Sequence, residues 1–509
     1  MLNLPRRRVA FITIGVMLSL LMSSLEATVV STAMPTIVSE LGDLSSYSWV
    51  FSAFMLASTT SVPLYGKLAD LYGRRMLYIV AMTLFLVGSL LCGLASSMGQ
   101  LVVFRAIQGL GAGGLLPLAF IIIGDIYTLE QRARIQGLFS GVWGLSSVLG
   151  PLVGGILVDR VGWQWIFLMN IGPGLLALAV VASVMPDRAR DPNAPRVPVD
   201  FAGAATLTSG LVLLLLGLFE LGDRGFTSQV GLLLGGALAL LALLLWIERR
   251  AREPIVPLGL FRDRLFAIAC VHGLMSGWAV FGTASYVPLY ASALLGASAT
   301  EAGTTLTPQL LAWVGASIIG SRILLRVGFR SMVITGMLLL VVGSVQLAML
   351  NADSSRISAM VALAFTGVGM GLSIPAFLIA VQNGVPREQL GTATATVQFS
   401  RSIGGMLGVS VMGAIMSARL ASALRGAGRA PDGVDVAQLL DPLAGAGAAL
   451  DTVAQGALEN ALQWVFVVAL VAAVLGLLAT LLTPRIRLAG RAKAEQGRER
   501  GFEAQPIHE

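Results

Sequence analysis

The chain is a succession of apolar stretches of roughly twenty residues, separated by short polar connections, from its first residues to about position 483. A stretch of 18 or more apolar residues is long enough to cross a bilayer core about 30 Å thick. Inside such a core every backbone N–H and C=O must find its partner within the protein, so a run of such spans implies helices. Only 12% of the 509 residues are charged, against about 25% in soluble domains. The sequence therefore predicts an all-α, polytopic membrane protein.

Fourteen spans can be drawn, at about 9–35, 47–68, 76–96, 99–124, 134–158, 164–185, 201–220, 227–247, 264–293, 302–322, 330–350, 356–381, 391–417 and 460–483. The opening "MLNLPRRRVAFITIGVM" has the basic and apolar parts of a signal peptide. Its apolar part is too long and no small-residue cleavage site follows, so it is read as a retained first span. Alternating helix direction assigns each connection to a side. With the N-terminus in the cytoplasm, 26 of the 34 Lys and Arg residues fall on the cytoplasmic side and six on the outer side. Arg105 and Arg401 fall within spans. Positive charge concentrated inside is the expected signature and predicts two cytoplasmic termini. It also accounts for the net charge of +7 without a nucleic-acid partner.

An internal repeat is visible. The connection after the second span reads "GKLADLYGRR" (66–75), and the one after the tenth reads "SRILLRVGFR" (321–330). Aligned without gaps, Lys67 meets Arg322, Gly73 meets Gly328 and Arg75 meets Arg330, while Asp70 meets Leu325. The fifth span contains "GLSSVLGPLVGG" and the thirteenth "RSIGGMLGVSVMG". The predicted organisation is a six-helix bundle over 1–185 and a segment 186–263 with two inserted spans and their linkers. A second six-helix bundle over 264–483 and a cytoplasmic tail over 484–509 follow. Residues 418–459 form the longest outer connection, read either as a short helical hairpin or as a loop. Parallel repeats of six spans are a transporter architecture, with the substrate site near the midplane between them.

Between positions 8 and 40 the only charged side chain is Glu26. A carboxylate in a span costs a few kcal/mol and is a functional-site candidate. Away from water a carboxyl group favours its neutral form, so it can bind and release a proton as its surroundings change. Arg105, at a similar depth in the fourth span, is the natural partner. Making and breaking that pair would couple proton entry to substrate exit. The alternatives are that Glu26 only pairs with a fixed cation, and that Arg105 only locks spans together through carbonyls and Gln108. Arg401, deep in the thirteenth span, could orient substrate or serve packing. Trp143, Trp278, Trp313, Tyr286 and Tyr290 could line a cavity for flat lipophilic cations or pack at the interfaces. His272 reads as a buried histidine, with a secondary proton site as the alternative.

Other classes find no support. Lys67 and Lys493 are the only lysines, and neither is followed by the Ser or Thr of a P-loop. Two histidines and two cysteines supply no metal constellation and no disulfide framework. No cofactor and no enzymatic activity are expected.

Five motifs carry a resemblance over nearly the whole chain. "GKLADLYGRR", "RAIQGLGAGG" (105–114), "GLSSVLGPLVGG" (144–155), "LEATVVSTAMP" (25–35) and "GWQWIFLMNIGPG" (162–174) occur in order on the predicted spans. The chain resembles the major facilitator superfamily and, within it, the fourteen-span drug:proton antiporters. The resemblance implies two six-helix bundles plus two additional helices. It also implies export of lipophilic, cationic drugs by proton antiport, from a bacterial inner membrane. The alternative on the same scaffold is a dedicated exporter of one physiological solute, such as a lipid, amino acid or secondary metabolite. The expected partners are lipophilic substrates, protons and membrane lipids, with the chain as a monomer. The resemblance makes Gly66, Asp70, Gly73, Arg74, Arg75 and Asp125 a conformational latch. It makes Gly141, Gly144, Gly150, Pro151, Gly154 and Gly155 the antiporter stripe of the fifth span. In one departure, the family's first-span signature carries aspartate where Glu26 stands, and asparagine near Ser31. Glutamate keeps the carboxyl chemistry one methylene further out, which bears on substrate preference.

Overall fold

The computed structural model describes residues 5–42, 47–186, 200–251, 254–256, 258–297, 299–426 and 452–485. They form α1 (Arg6–Leu41), α2 (Tyr47–Tyr72), α3 (Arg74–Gly93), α4 (Met98–Ile126), α5 (Leu129–Val161), α6 (Trp165–Leu168), α7 (Ile171–Val184), α8 (Phe201–Arg224) and α9 (Ser228–Glu248). They continue as α10 (Arg264–Leu295), α11 (Ala299–Thr304), α12 (Thr307–Val327), α13 (Phe329–Ala348), α14 (Arg356–Gly384), α15 (Leu390–Gly426) and α16 (Thr452–Leu481). Among the described residues no strand occurs, and ten segments are long and apolar enough to cross a membrane.

Short polar residues set the helix starts. Ser97 accepts from the Gln100 N–H at α4, and Thr128 and Gln131 form a reciprocal capping box at α5. Asp200, Thr227, Asp263 and Ser355 cap α8, α9, α10 and α14. The expected sixth span is interrupted between α6 and α7. Pro173 lies in the first turn of α7, where its missing N–H costs nothing, so the new helix starts there. In the expected outer connection 418–459, α15 runs on to Gly426 and α16 begins at Thr452; what lies between falls outside the described residues.

The packing is paired. α2 and α3 both lie on α4, and α1 lies on α5 and α7, with α3 also on α7. In the same way α12 and α13 lie on α14, and α10 lies on α15 and α16, with α13 also on α16. The two sets meet through α2 against α15 and α5 against α12, again a matched pair. The hairpin α8–α9 leans on α15 and α2, burying Leu207, Leu211, Leu244 and Ile255.

The repeat extends to individual residues. Gly73 and Gly328, aligned above, both have positive φ, 94° and 88°, which favours glycine. α4 and α14 are both 29 residues long, each with proline as its twentieth residue, Pro117 and Pro375. Gly109, Gly111 and Gly113 of α4 occupy the same positions as Gly367, Gly369 and Gly371 of α14. These glycines let the neighbouring backbones approach. A Cβ on Gly111 would lie 2.6 Å from the Ala81 carbonyl oxygen of α3, and one on Gly369 would lie 2.6 Å from the Gly336 carbonyl oxygen of α13. Apolar side chains gain little from meeting each other rather than lipid, so such close contact carries much of the packing energy.

Gly369→Val should overpack this contact by about 1–3 kcal/mol and lower the unfolding temperature of the purified protein by several degrees. Gly315→Val, where nothing lies within 4 Å, should leave it unchanged in the same thermal-unfolding assay.

Candidate functional site

Glu26 is fully buried in the interior of the first helix set. Its Oε1 accepts from Arg105 Nη1 at 2.6 Å, and its Oε2 accepts from Asn170 Nδ2 at 2.7 Å. Arg105, 2% exposed, also donates to Gln108 Oε1 at 2.8 Å and, through Nε, to the Val50 carbonyl at 3.3 Å. Its guanidinium stacks 4.1 Å from the centre of the Phe54 ring. Gln108 Nε2 and Asn170 Nδ2 both donate to Ser89 Oγ, at 3.2 and 3.0 Å, and Ser89 donates to the Phe167 carbonyl at 2.8 Å. Both carboxylate oxygens thus have a donor. Such satisfaction is what makes a buried ion pair tolerable. The network joins α1, α3, α4 and the break between α6 and α7.

At the end of the molecule that carries residues 66–75, a second charged cluster ties the two helix sets together. Arg74 Nη2 lies 3.2 Å from Asp70 Oδ1, and Arg74 Nε lies 2.8 Å from Asp125 Oδ2. Arg74 also donates to the Arg387 carbonyl at 3.2 Å. Asp70 accepts from the backbone N–H of Gly391 at 3.0 Å and of Thr392 at 2.7 Å, and from the Thr392 hydroxyl at 2.8 Å. Asp70 therefore caps the start of α15 from α2, where a carboxylate also meets the positive end of the helix dipole. Gly66 lets α2 approach α15: a Cβ there would sit 2.8 Å from the Gly391 carbonyl oxygen. Close by, Gln382 donates to the Phe120 carbonyl, 3.2 Å away across the two sets. Arg75 donates to the Ala182 carbonyl near the end of α7, through Nε at 2.9 Å.

The glycine stripe of α5 divides. Gly137 and Gly144 face Ile318 and Val314 of α12, while Gly141 and Gly155 have no described atom within 4 Å of a Cβ position. Gly150 and Gly154 are buried, and the side chains of Pro151 and Trp143 lie outside those described. The two sets thus touch along the end bearing 66–75 and separate toward the other. There, a cavity of about 290 Å³ is lined by Trp49 and Met55 of α2, Leu215 of α8, Ser285 of α10, and Met406 and Ser410 of α15. Glu26 faces the interior of its own helix set rather than this space. Tyr286 donates to the Val409 carbonyl at 2.8 Å and Tyr290 to that of Asn351 at 2.8 Å. Trp278 and Trp313 pack among Met337, Leu340 and Met370, and the Trp278 indole N–H has no partner among the described residues. Arg401 is half-buried in α15. No group of three potential metal ligands occurs among the described residues.

Residues 16–409 match the Major Facilitator Superfamily. The chain belongs to the major facilitator superfamily. It is 40% identical to the Multidrug transporter protein MdtP of Bacillus subtilis over 81% of this chain and 76% of that one. It is 36% identical to the Multidrug resistance protein 3 of Bacillus subtilis over 80% of this chain and 79% of that one. Among solved structures, its fold matches the proton:xylose symporter XylE with a TM-score of 0.60 at 15% identity, covering 93% of this chain and 95% of that one. The protein is a multi-pass membrane transporter of this superfamily and not an enzyme.

The ion pair, the charged cluster between the two sets and the cavity occupy separate places on one frame. The sequence pointed to Glu26, Arg105, Asp70, Arg74 and Asp125, which the structure brings together in two clusters. It missed Asn170 and Ser89. Asn170 had a signal, being an amide set between the apolar runs "WIFLM" and "IGPGLLALAVV". Ser89 had none, because nothing separates it from the other serines of the spans. Gly391 and Thr392 were missed because their role is carried by backbone N–H groups.

Two predictions follow from these clusters. Arg105→Met, which strands a buried carboxylate, should cost about 3–5 kcal/mol in unfolding measurements, and Glu26→Gln/Arg105→Met should recover part of that loss. Asp70→Asn should weaken the cap on α15 by about 1–2 kcal/mol. Alkylation of a cysteine placed at Ala395, which packs on Gly66, should then run roughly tenfold faster.

Proposed function

We propose that this chain exports lipophilic compounds by alternating access, driven by proton antiport through Glu26. The observation that carries the reading is the Glu26–Arg105 pair, sealed at 2.6 Å with both partners almost fully buried. Protonation of Glu26 would remove the charge that holds Arg105. Arg105 would keep Gln108, the Val50 carbonyl and the Phe54 ring, so the cation stays accommodated while α1 is released from α4. Each charge moved across the membrane is worth about 2.3 kcal/mol per 100 mV, so a proton cycle at this depth can drive transport.

The remaining readings fit this proposal. Fourteen spans would place both termini on one side, and the basic residues assign that side to the cytoplasm. The bundles would be 1–185 and 264–483, with α8–α9 as the insertion. The end bearing 66–75 would face the cytoplasm, with Asp70, Arg74 and Asp125 holding it shut and the cavity open outward. The multidrug relatives support a broad apolar cargo and a bacterial cell membrane, with the proton gradient in place of any cofactor. A monomer would suffice, because both sets of helices lie in one chain. For a cationic cargo the available acid would be Glu26, once it has left Arg105.

The test is uncoupler-sensitive transport of ethidium by energised inverted vesicles. Wild type should transport, and Glu26→Gln, inserted at equal levels, should lose at least about tenfold of the rate. Normal gradient-dependent transport by Glu26→Gln would place the coupling elsewhere.

A further inference from the structure

The two helix sets treat their buried arginines differently. In the first, Arg105 has Glu26. In the second, Leu363 takes the position in α14 that Arg105 holds in α4, and the arginine inside the set is Arg401, the twelfth of the 37 residues of α15. Arg401 has no ion pair or hydrogen bond among the described residues. Within α10 and α12–α16 the only carboxylate is Glu459. Glu459 lies near the start of α16 and accepts from the Ala352 N–H at 3.2 Å. A cation held at this depth without a counter-charge is costly.

Two further groups near Arg401 also lack partners. Gln398, 3% exposed, lies one turn before Arg401 and about 60° around α15, and its Nε2 donates to nothing. His272 of α10 is 2% exposed, with its ring 4.4 Å from that of Phe377 and its Nε2 without a partner. The levels match, since a Cβ on the adjacent Gly273 would lie 3.4 Å from the Arg401 backbone nitrogen. His272 is also close enough to feel the Arg401 charge. A forked cation, an amide N–H₂ and an imidazole that can present Nε2–H are what a carboxylate accepts from.

We propose that Arg401, Gln398 and His272 form a docking subsite for a carboxylate carried by the exported lipophilic compound. The cargo completes the ion pair that the second helix set leaves open. The assignment rests on the export reading and adds one class of cargo to it: amphiphiles with an apolar body and one anionic group.

The test is binding of rhodamine B, which has a free carboxylate, and of its ethyl ester, which does not. The full-length protein is held in lipid nanodiscs, with empty discs subtracted. Wild type should bind the carboxylate form about tenfold or more tightly than the ester. Arg401→Gln should bring the two within about twofold, while Arg401→Lys retains part of the preference. Gln398→Leu and His272→Phe should each cost the carboxylate form roughly threefold, and they carry the test if Arg401→Gln does not fold. Equal binding of both dyes by wild type, binding of neither, or an undiminished preference in Arg401→Gln would overturn the proposal. Binding needs no gradient, so a failure of proton coupling at Glu26 and a failure of this subsite are read separately.

Discussion

A carboxylate inside a membrane helix must be met by donors or lose its charge, and the first helix set is organised around meeting Glu26. Arg105 and Asn170 each take one of its oxygens, at 2.6 and 2.7 Å. Gln108 and Ser89 then hold Arg105 and Asn170 in place. The chain of bonds crosses α1, α3, α4 and the break before α7, so a change of charge at one carboxyl is felt by four elements. Neutralising the carboxyl would weaken the charge-assisted bonds that Arg105 and Asn170 donate to it.

The frame around the network is made by close backbone approach rather than by large side chains. Three glycines of α4 and three of α14 stand in register and press against the same neighbours in each set, α2 and α3 in one, α12 and α13 in the other. On this symmetric frame the charges are asymmetric. Glu26 and Arg105 belong to the first set alone, and Arg401 stands without an acid in the second. The contact between the sets is likewise one-sided: Asp70 reaches from α2 to the start of α15, while its aligned position 325 is a leucine. The contacts at the 66–75 end connect the two sets.

Much of this was legible in the sequence. The apolar stretches gave the helices, and the lone charge at Glu26 with the span arginine at 105 gave the central pair, because a buried charge announces its need for a partner. Gly73 and Gly328 were legible because a tight turn demands glycine. The contents of the outer cavity were not. Trp49, Leu215 and Met406 are ordinary apolar residues in a chain that is 56% hydrophobic, and only the splay of α2 from α15 gathers them. Of the aromatic residues singled out, Tyr286 and Tyr290 donate to backbone carbonyls. The α4–α14 glycine register was present in the sequence but hidden, because small residues recur throughout membrane helices.

The central claim is that Glu26 exchanges a proton against cargo. The most direct measurement is net proton release when a transported compound is added to the purified protein in weakly buffered detergent, followed with a pH-indicator dye. Wild type should release protons on binding, and Glu26→Gln should bind the compound with no release. Equal release from wild type and Glu26→Gln would contradict the account and move the exchange to another group.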